Sequence, residues 1–318
     1  MQSETAASSG RRREVSPSRG GKDRPGRSRG LSFEARMMLP ALVILAAISI
    51  LPLLYIIWMS LNNVTLLGGT GISSNWTGLG NWGRMFTDPG VWAGWAAMVI
   101  YFIGTVGLEM ILGLVAALVI HEVVWGKNLA FSLILIPMFI APVIVGLLGR
   151  FLVNPTYGLY AWVLRESGIY SGNILGGSVS AFVAVVLMDV WEWTPLVALI
   201  TLAGLVSIQP QILEAAKVDG ASYWERLRHI VLPSITGIVI VALLIRSMDA
   251  LRYFDIIWQA TNGGPANATK IIPLRLYESA FRFFHLGYAA TIGLLMLAVS
   301  ILVANLFTGI LRQRGLLR

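Results

Sequence analysis

Apolar residues come in six long runs, near 37–61, 95–120, 129–152, 178–205, 234–258 and 288–311, separated by short polar stretches. About 20 apolar residues in succession is the length a helix needs to cross about 30 Å of hydrocarbon. Lipid offers no partner to a backbone N–H or C=O, so a spanning segment must be a helix or part of a closed barrel. None of the runs alternates as barrel strands do. The pattern predicts an all-α polytopic membrane protein: six transmembrane helices in one permease-sized domain over 37–318, behind a tail at 1–36.

The polar interruption at 207–233 has an organisation of its own. Pro210 suits the first turn of a helix, where its missing N–H would be unpaired anyway, and a short helix is expected to run to about Asp219. Gly220 can take the left-handed conformation that closes a helix, and Ser222 to Glu225 reads as a capping box opening a second one. Pro233 is expected to end or kink that second helix. The product is a surface knuckle with Glu214 and Asp219 on one arm and Glu225, Arg226, Arg228 and His229 on the other. On this chemistry alone the knuckle is either a docking element or an amphipathic helix lying in the interface.

The spacing E-A-A-x3-G-x9-I-x-L-P, carried by Glu214, Ala215, Ala216, Gly220, Ile230, Leu232 and Pro233, resembles the EAA loop of the membrane subunits of bacterial ATP-binding cassette (ABC) importers. Phe254-Asp255 through Thr261, Asn262, Gly263, Gly264 and Pro265, with Thr269, resembles the segment that marks their carbohydrate, maltose-like branch. The resemblance covers about Met37 to the C-terminus and implies a type I importer permease fold with a cytoplasmic coupling helix. It further implies two cytoplasmic ABC ATPase subunits holding ATP and magnesium, a second, similar permease subunit that is either a different chain or another copy of this one, and an extracytoplasmic binding protein that delivers a sugar or polyol. Glu214 would pair with a basic group in the ATPase cleft, Ala215 and Ala216 would allow close approach, Gly220 would make the turn beside Asp219, and Ile230 and Leu232 would anchor the loop ahead of Pro233.

Charge fixes an orientation. Nine Lys and Arg residues lie in 1–36; if these are cytoplasmic, sixteen cations fall on that side against five on the other, with Arg150, Arg246 and Arg252 inside spans. Both termini and the 207–233 loop are therefore expected inside, and the resemblance implies that the membrane is a bacterial cytoplasmic one. The net charge of +8 does not point to nucleic acid, because eight of the cations sit in the first 30 residues among Ser, Gly and Pro. That tail reads as disordered and drawn to anionic lipid. With 56% hydrophobic and 13% charged residues and a mean hydropathy of +0.73, most of the chain has lipid for its solvent.

Catalytic chemistry is not indicated. Neither Gly-Lys pair fits a P-loop: Gly126-Lys127 has His121 and Asn128, and Gly21-Lys22 has Ser16 and Asp23, where the motif needs Gly and Ser or Thr. There is no cysteine, and His121, His229 and His285 lack any paired ligand spacing, so neither a metal nor a cofactor is expected in this chain.

What remains are polar groups inside the membrane, where each charge costs about 2.5–3.5 kcal/mol at a span centre. Asp189, Glu192 and Trp193 fall at i, i+3 and i+4 on the fourth run, beside Trp191 and Pro195. They make either a sugar-binding face or part of an aromatic belt. On the fifth, Arg246, Asp249 and Tyr253 share a stripe, and Asp249, Arg252 and Asp255 are successive i, i+3 neighbours: an ion-pair ladder, or groups lining the pathway. Asn262 opens the helix-breaking Gly-Gly-Pro segment, whose backbone is available to a polyhydroxylated ligand or a binding protein. Glu109 and Arg150 are paired provisionally with each other, and Gly104, Gly107, Gly146 and Gly149 mark close helix contacts. An ion-coupled secondary transporter and a membrane scaffold are the competing classes; the first usually shows paired repeats of span pattern, which six spans with one loop fit poorly.

Overall fold

The computed structural model describes residues 33–67 and 71–313. Most of the Arg-rich tail, and Arg314 and Arg318 of the charge count, lie outside the described residues. The chain divides into two units, Met1–Leu51, which contributes here only the first part of α1, and Pro52–Arg318.

The elements run α1 Phe33–Ser60, a hairpin of β1 Asn62–Leu67 and β2 Gly71–Trp76, α2 Gly80–Thr87, α3 Pro89–Glu122, α4 Lys127–Leu135, a 3-10 turn Pro137–Phe139, α5 Pro142–Leu152, α6 Leu159–Glu166, a 3-10 turn Ile174–Gly176, α7 Ser178–Val206, α8 Pro210–Val218, α9 Tyr223–Arg226, a π turn Leu227–Val231, α10 Leu232–Ala250, α11 Asp255–Ala260, α12 Ile272–Tyr277, a π turn Glu278–Arg282, and α13 Leu286–Gln313. Among the described residues five helices are long and apolar enough to span a bilayer: Arg36–Ser60, Pro89–Glu122, Ser178–Val206, Tyr223–Ala250 and Leu286–Gln313.

The third predicted span is not one helix. Pro137 and Pro142 each remove a backbone donor, and the residue before Pro142 is pushed out of the helical region, so Ile140 and Ala141 are extended and the run 129–152 becomes α4, a 3-10 turn and α5. The fifth predicted span also divides. Its last turn tightens to i→i+3 bonds, Arg252 N–H to the Asp249 carbonyl and Tyr253 N–H to Ala250, and Phe254 leaves the helical region at φ −143°. Asp255 therefore opens the separate helix α11 and is not an i, i+3 neighbour of Arg252 in one ladder. Pro195, by contrast, is carried inside α7 without a break.

α3 and α7 form the most extensive helix pair. A Cβ on Gly113 would fall 2.6 Å from the Val197 side chain, so the two backbones approach as only glycine permits. Gly146 does the same for α5 and α11, where a Cβ would lie 2.8 Å from Gln259 and 3.1 Å from the Ile256 backbone. Gly107, expected at a contact, faces open space. Around these approaches Met98, Tyr101, Val145, Val185, Ile256, Ile257 and Leu274 make the largest buried apolar cluster.

The hairpin, unforeseen in the sequence reading, pairs Asn62 with Trp76 through to Leu67 with Gly71. It is tied to the start of α13 by Leu66 N–H to the Phe284 carbonyl at 3.2 Å, and to α2 by the Asn81 amide, which donates to Ser60 and Asn62 carbonyls at 3.0 and 2.9 Å.

Candidate functional site

One cation organises the centre of the spans. Arg246, on α10, has no solvent exposure and points between α3 and α7. Its Nε and Nη2 donate to Glu109 Oε2 and Oε1 at 2.5 and 2.8 Å, Nη2 also donates to Asp189 Oδ2 at 2.6 Å, and Nη1 reaches Asp249 Oδ2 at 3.4 Å. The planar fork of a guanidinium matches a carboxylate two bonds at a time, which a lysine cannot do. The ring faces of Trp193 and Tyr253 lie 5.2 and 5.8 Å from its carbon, within cation–π range. Tyr253 then donates to Glu192 Oε2 at 2.5 Å and accepts from Trp193 Nε1 at 3.3 Å.

Five of the seven pathway residues singled out in the sequence are thus brought together: Asp189, Glu192, Trp193, Asp249 and Tyr253. Asp189 and Glu192 are fully buried, each with one carboxylate oxygen left without a donor among the described residues, while the Asp249 side chain is a quarter exposed and bridges to the exposed Arg252 at 2.9 Å. Asp255 and Asn262 lie outside the cluster: Asp255 starts α11, and Asn262 is exposed with φ +50°. Trp191 points away from the cluster and is half-exposed.

The partner of Arg246 differs from expectation. Glu109 pairs with Arg246, not with Arg150, which is exposed at the end of α5. Glu109 is the sole acid between Asp88 and the last residue of α3, so its need for a cation was visible, but choosing among cations requires knowing that α3, α7 and α10 meet. Tyr101 was missed altogether. It is buried on α3 with its hydroxyl unpartnered, and one aromatic in an apolar run gives no sequence signal.

The knuckle is built as its residues dictate. α8 ends in a Schellman closure: Ala221 N–H bonds the Ala216 carbonyl at 2.9 Å, Gly220 N–H bonds Lys217 at 3.1 Å, and Gly220 takes φ +82°. Ser222 caps α9, its Oγ accepting from Glu225 N–H at 3.4 Å while its own N–H donates to Glu225 Oε2 at 2.7 Å. Glu214, Ala215, Asp219 and Gly220 are exposed, Ala216 is buried, Ile230 is half-buried, and Leu232 packs on the cluster of Ala117, Ile120, Leu202, Leu205 and Ile235.

Pro233 neither ends nor halts the second helix. The π turn Leu227–Val231 precedes it, and the helix runs unbroken from Tyr223 to Ala250. Wider i→i+5 bonding immediately before a proline accommodates the donor it lacks.

In the Gly-Gly-Pro segment the polar groups are largely turned on one another. Thr261 and Thr269 hydroxyls meet at 2.7 Å, and the Thr269 hydroxyl donates to the Gly264 carbonyl at 2.9 Å. Less backbone is free there than the sequence suggested.

Residues 109–315 match the family described as binding-protein-dependent transport system inner membrane component. The chain is 38% identical over 252 residues to the trehalose/maltose transport system permease protein MalF of Thermococcus litoralis, an alignment covering 79% of this chain and 83% of that one. It is 32% identical over 271 residues to the trehalose transport system permease protein SugA of Mycobacterium tuberculosis, covering 85% and 86%. In fold it resembles a chain of a bacterial alginate ABC transporter solved in complex with an alginate pentasaccharide-bound periplasmic protein, with a TM-score of 0.77, 19% identity, and coverage of 87% of this chain and 93% of that one.

Proposed function

The chain belongs to the binding-protein-dependent transport system inner membrane component family, and from that membership we propose how its two polar features divide the labour of transport. It is a multi-pass membrane protein, the permease subunit of an ATP-binding cassette importer of the carbohydrate class.

The observation that carries the mechanical reading is the unbroken helix Tyr223–Ala250. At about 1.5 Å per residue it reaches roughly 40 Å. Its capped start is the EAA knuckle and its far end carries Arg246 and Asp249. A push on the knuckle is delivered along one continuous element, through the π turn and Pro233, to the only fully buried cation among the described residues.

In this reading the knuckle faces the cytoplasm with both termini, and an ABC ATPase subunit receives Glu214 and Ala215. A second permease chain completes the pathway, and an extracytoplasmic binding protein presents a sugar or polyol. ATP and magnesium belong to the ATPase pair, whose closure alternates the access of the spans. Asp189, Glu192, Trp193, Asp249 and Tyr253, with Asp255 and Asn262 further along, supply carboxylates and aromatic faces suited to hydroxyls and to the apolar face of a pyranose. The sequence likenesses to trehalose and maltose permeases support a disaccharide as the cargo.

The test is sugar uptake by the full transporter in proteoliposomes. Glu214→Arg is expected to leave membrane insertion normal and to lower ATP-driven uptake at least about tenfold, the worth of one charge-assisted contact. Uptake that continues without ATP but collapses with an ion gradient would instead establish a secondary transporter.

A further inference from the structure

We propose that the recess enclosed by α2, the first turn of α3, the π turn Glu278–Arg282 and the start of α13 is a binding site for a phosphate oxyanion, supplied by the headgroup of an anionic phospholipid. The cavity is about 170 Å³ and is lined by Arg84, Asp88, Arg275, Glu278, His285 and Tyr288 among others. That volume admits a phosphate group.

Its charges are unevenly spent. Glu278 is neutralised by Lys270 at 2.9 Å and Arg282 at 3.1 Å. Asp88 accepts from Gly90 N–H and from the Tyr288 hydroxyl, both at 2.7 Å. Burial pushes the Asp88 carboxyl up, but the Tyr288 and Gly90 hydrogen bonds and the Arg275 charge outweigh it and hold the group below its ordinary value, so it stays ionised. Among the described residues, neither Arg84 nor Arg275 has a carboxylate at ion-pair distance. Around the recess the four cations Arg84, Lys270, Arg275 and Arg282 therefore exceed the two carboxylates by two positive charges, and His285 adds to the surplus when protonated.

Two further observations point to an oxyanion. The Arg275 side chain is half-buried and its Nε is buried with no acceptor among the described residues, and a donor removed from water without a partner is costly unless a ligand supplies one. The Arg84 guanidinium carbon sits over the Tyr288 ring, 4.7 Å from its centre, and its N–H donors have no carboxylate at ion-pair distance among the described residues. Two guanidiniums are the usual means of gripping phosphate oxygens in pairs.

The surroundings select the source. Asp88 and His285 immediately precede Pro89 and Leu286, where two spanning helices begin, so the recess lies at the level of the headgroups. Its rim is aromatic and exposed, with Phe86, Trp92 and Phe283 each at least half open to the surroundings. Such rings occupy the membrane interface, here on the side opposite the knuckle, where a phosphodiester headgroup of that leaflet can present its oxyanion to the recess. A free phosphate offers the same chemistry without the acyl chains that such a rim would meet.

The test uses the full chain, purified in detergent with its partner subunits and stripped of lipid, then titrated with phosphatidylglycerol, phosphatidylcholine or inorganic phosphate while native mass spectra and thermal midpoints are recorded. Phosphatidylglycerol is expected to bind and raise the midpoint, and Arg84→Gln/Arg275→Gln to weaken that binding about tenfold or more. Phosphatidylglycerol that resists competition by millimolar phosphate identifies the lipid as the source, whereas full displacement by phosphate, with the same rise in midpoint, assigns the site to a free anion and overturns the lipid assignment. Wild-type affinity in the double variant, or an equal response to phosphatidylcholine, overturns the proposal. Should the double variant fail to assemble, Arg275→Lys keeps the charge and loses the fork: weakened binding supports the site, and unchanged binding sinks it.

Discussion

Arg246 shows how one side chain can hold three helices. Its guanidinium is bonded to Glu109 of α3 and Asp189 of α7, both fully buried, and touches the partly exposed Asp249 on its own helix. Removing one member of a buried ion pair strands the others, at about 3–5 kcal/mol. Arg246→Met is therefore expected to lower the stability of the detergent-solubilised chain by about that amount, and Glu109→Gln with Asp189→Asn in the same chain to recover most of it, both read from denaturant titration. Asp249 and Tyr253 differ, because Asp249 is partly open and the Tyr253 hydroxyl holds Glu192 rather than Arg246. Asp249→Ala and Tyr253→Ala are expected to reduce sugar uptake about tenfold while the complex still assembles, the loss of one or two substrate hydrogen bonds. Loss of assembly in either would mean that these residues belong to the scaffold.

At the scale of elements, the knuckle depends on local chemistry, and for that reason it was legible in the sequence. Pro210, Gly220, Ser222 and Glu225 each act within a few residues of themselves, and every cap they imply is present. Ser222→Ala removes an N-cap worth about 1 kcal/mol, so hydrogen exchange across Ala221–Arg226 is expected to quicken about fivefold without loss of assembly. Unchanged exchange would mean that the π turn and Leu232, not the cap, hold the arm in place. The failures of the sequence reading are also physical. A count of apolar residues does not see Pro137 and Pro142, because hydropathy is indifferent to a missing N–H, and it read Ala250 to Trp258 as one helix because polarity does not change where the backbone turns. The hairpin went unseen for another reason. Six-residue strands without clean alternation carry little pattern, and this one is fixed by Phe284 and Asn81, which are remote in sequence. The Glu109–Arg246 pair belongs to the same class of information, since nothing within a helical turn of either residue names the other.

For the molecule as a whole, the ion cluster has a consequence in time. Glu109 is synthesised 137 residues before Arg246, and Asp189 57 residues before it. At roughly 5–20 residues per second, the first acid waits on the order of ten seconds for its cation. During that interval α3 and α7 each carry into the bilayer an acid that must stay protonated, remain near the translocation machinery, or be shielded by an insertion factor. A chain stopped at Val231 is frozen at that stage, and it is expected to be degraded several-fold faster in cells than the full chain, with Glu109→Gln/Asp189→Asn restoring much of its half-life in a pulse-chase measurement. Equal half-lives for the truncated chain with and without those substitutions would exclude the unpaired acids as the cause. The arginine that completes the permease is thus also the residue that ends its most vulnerable period of biogenesis, and the order in which the helices are made decides when they can leave the insertion machinery.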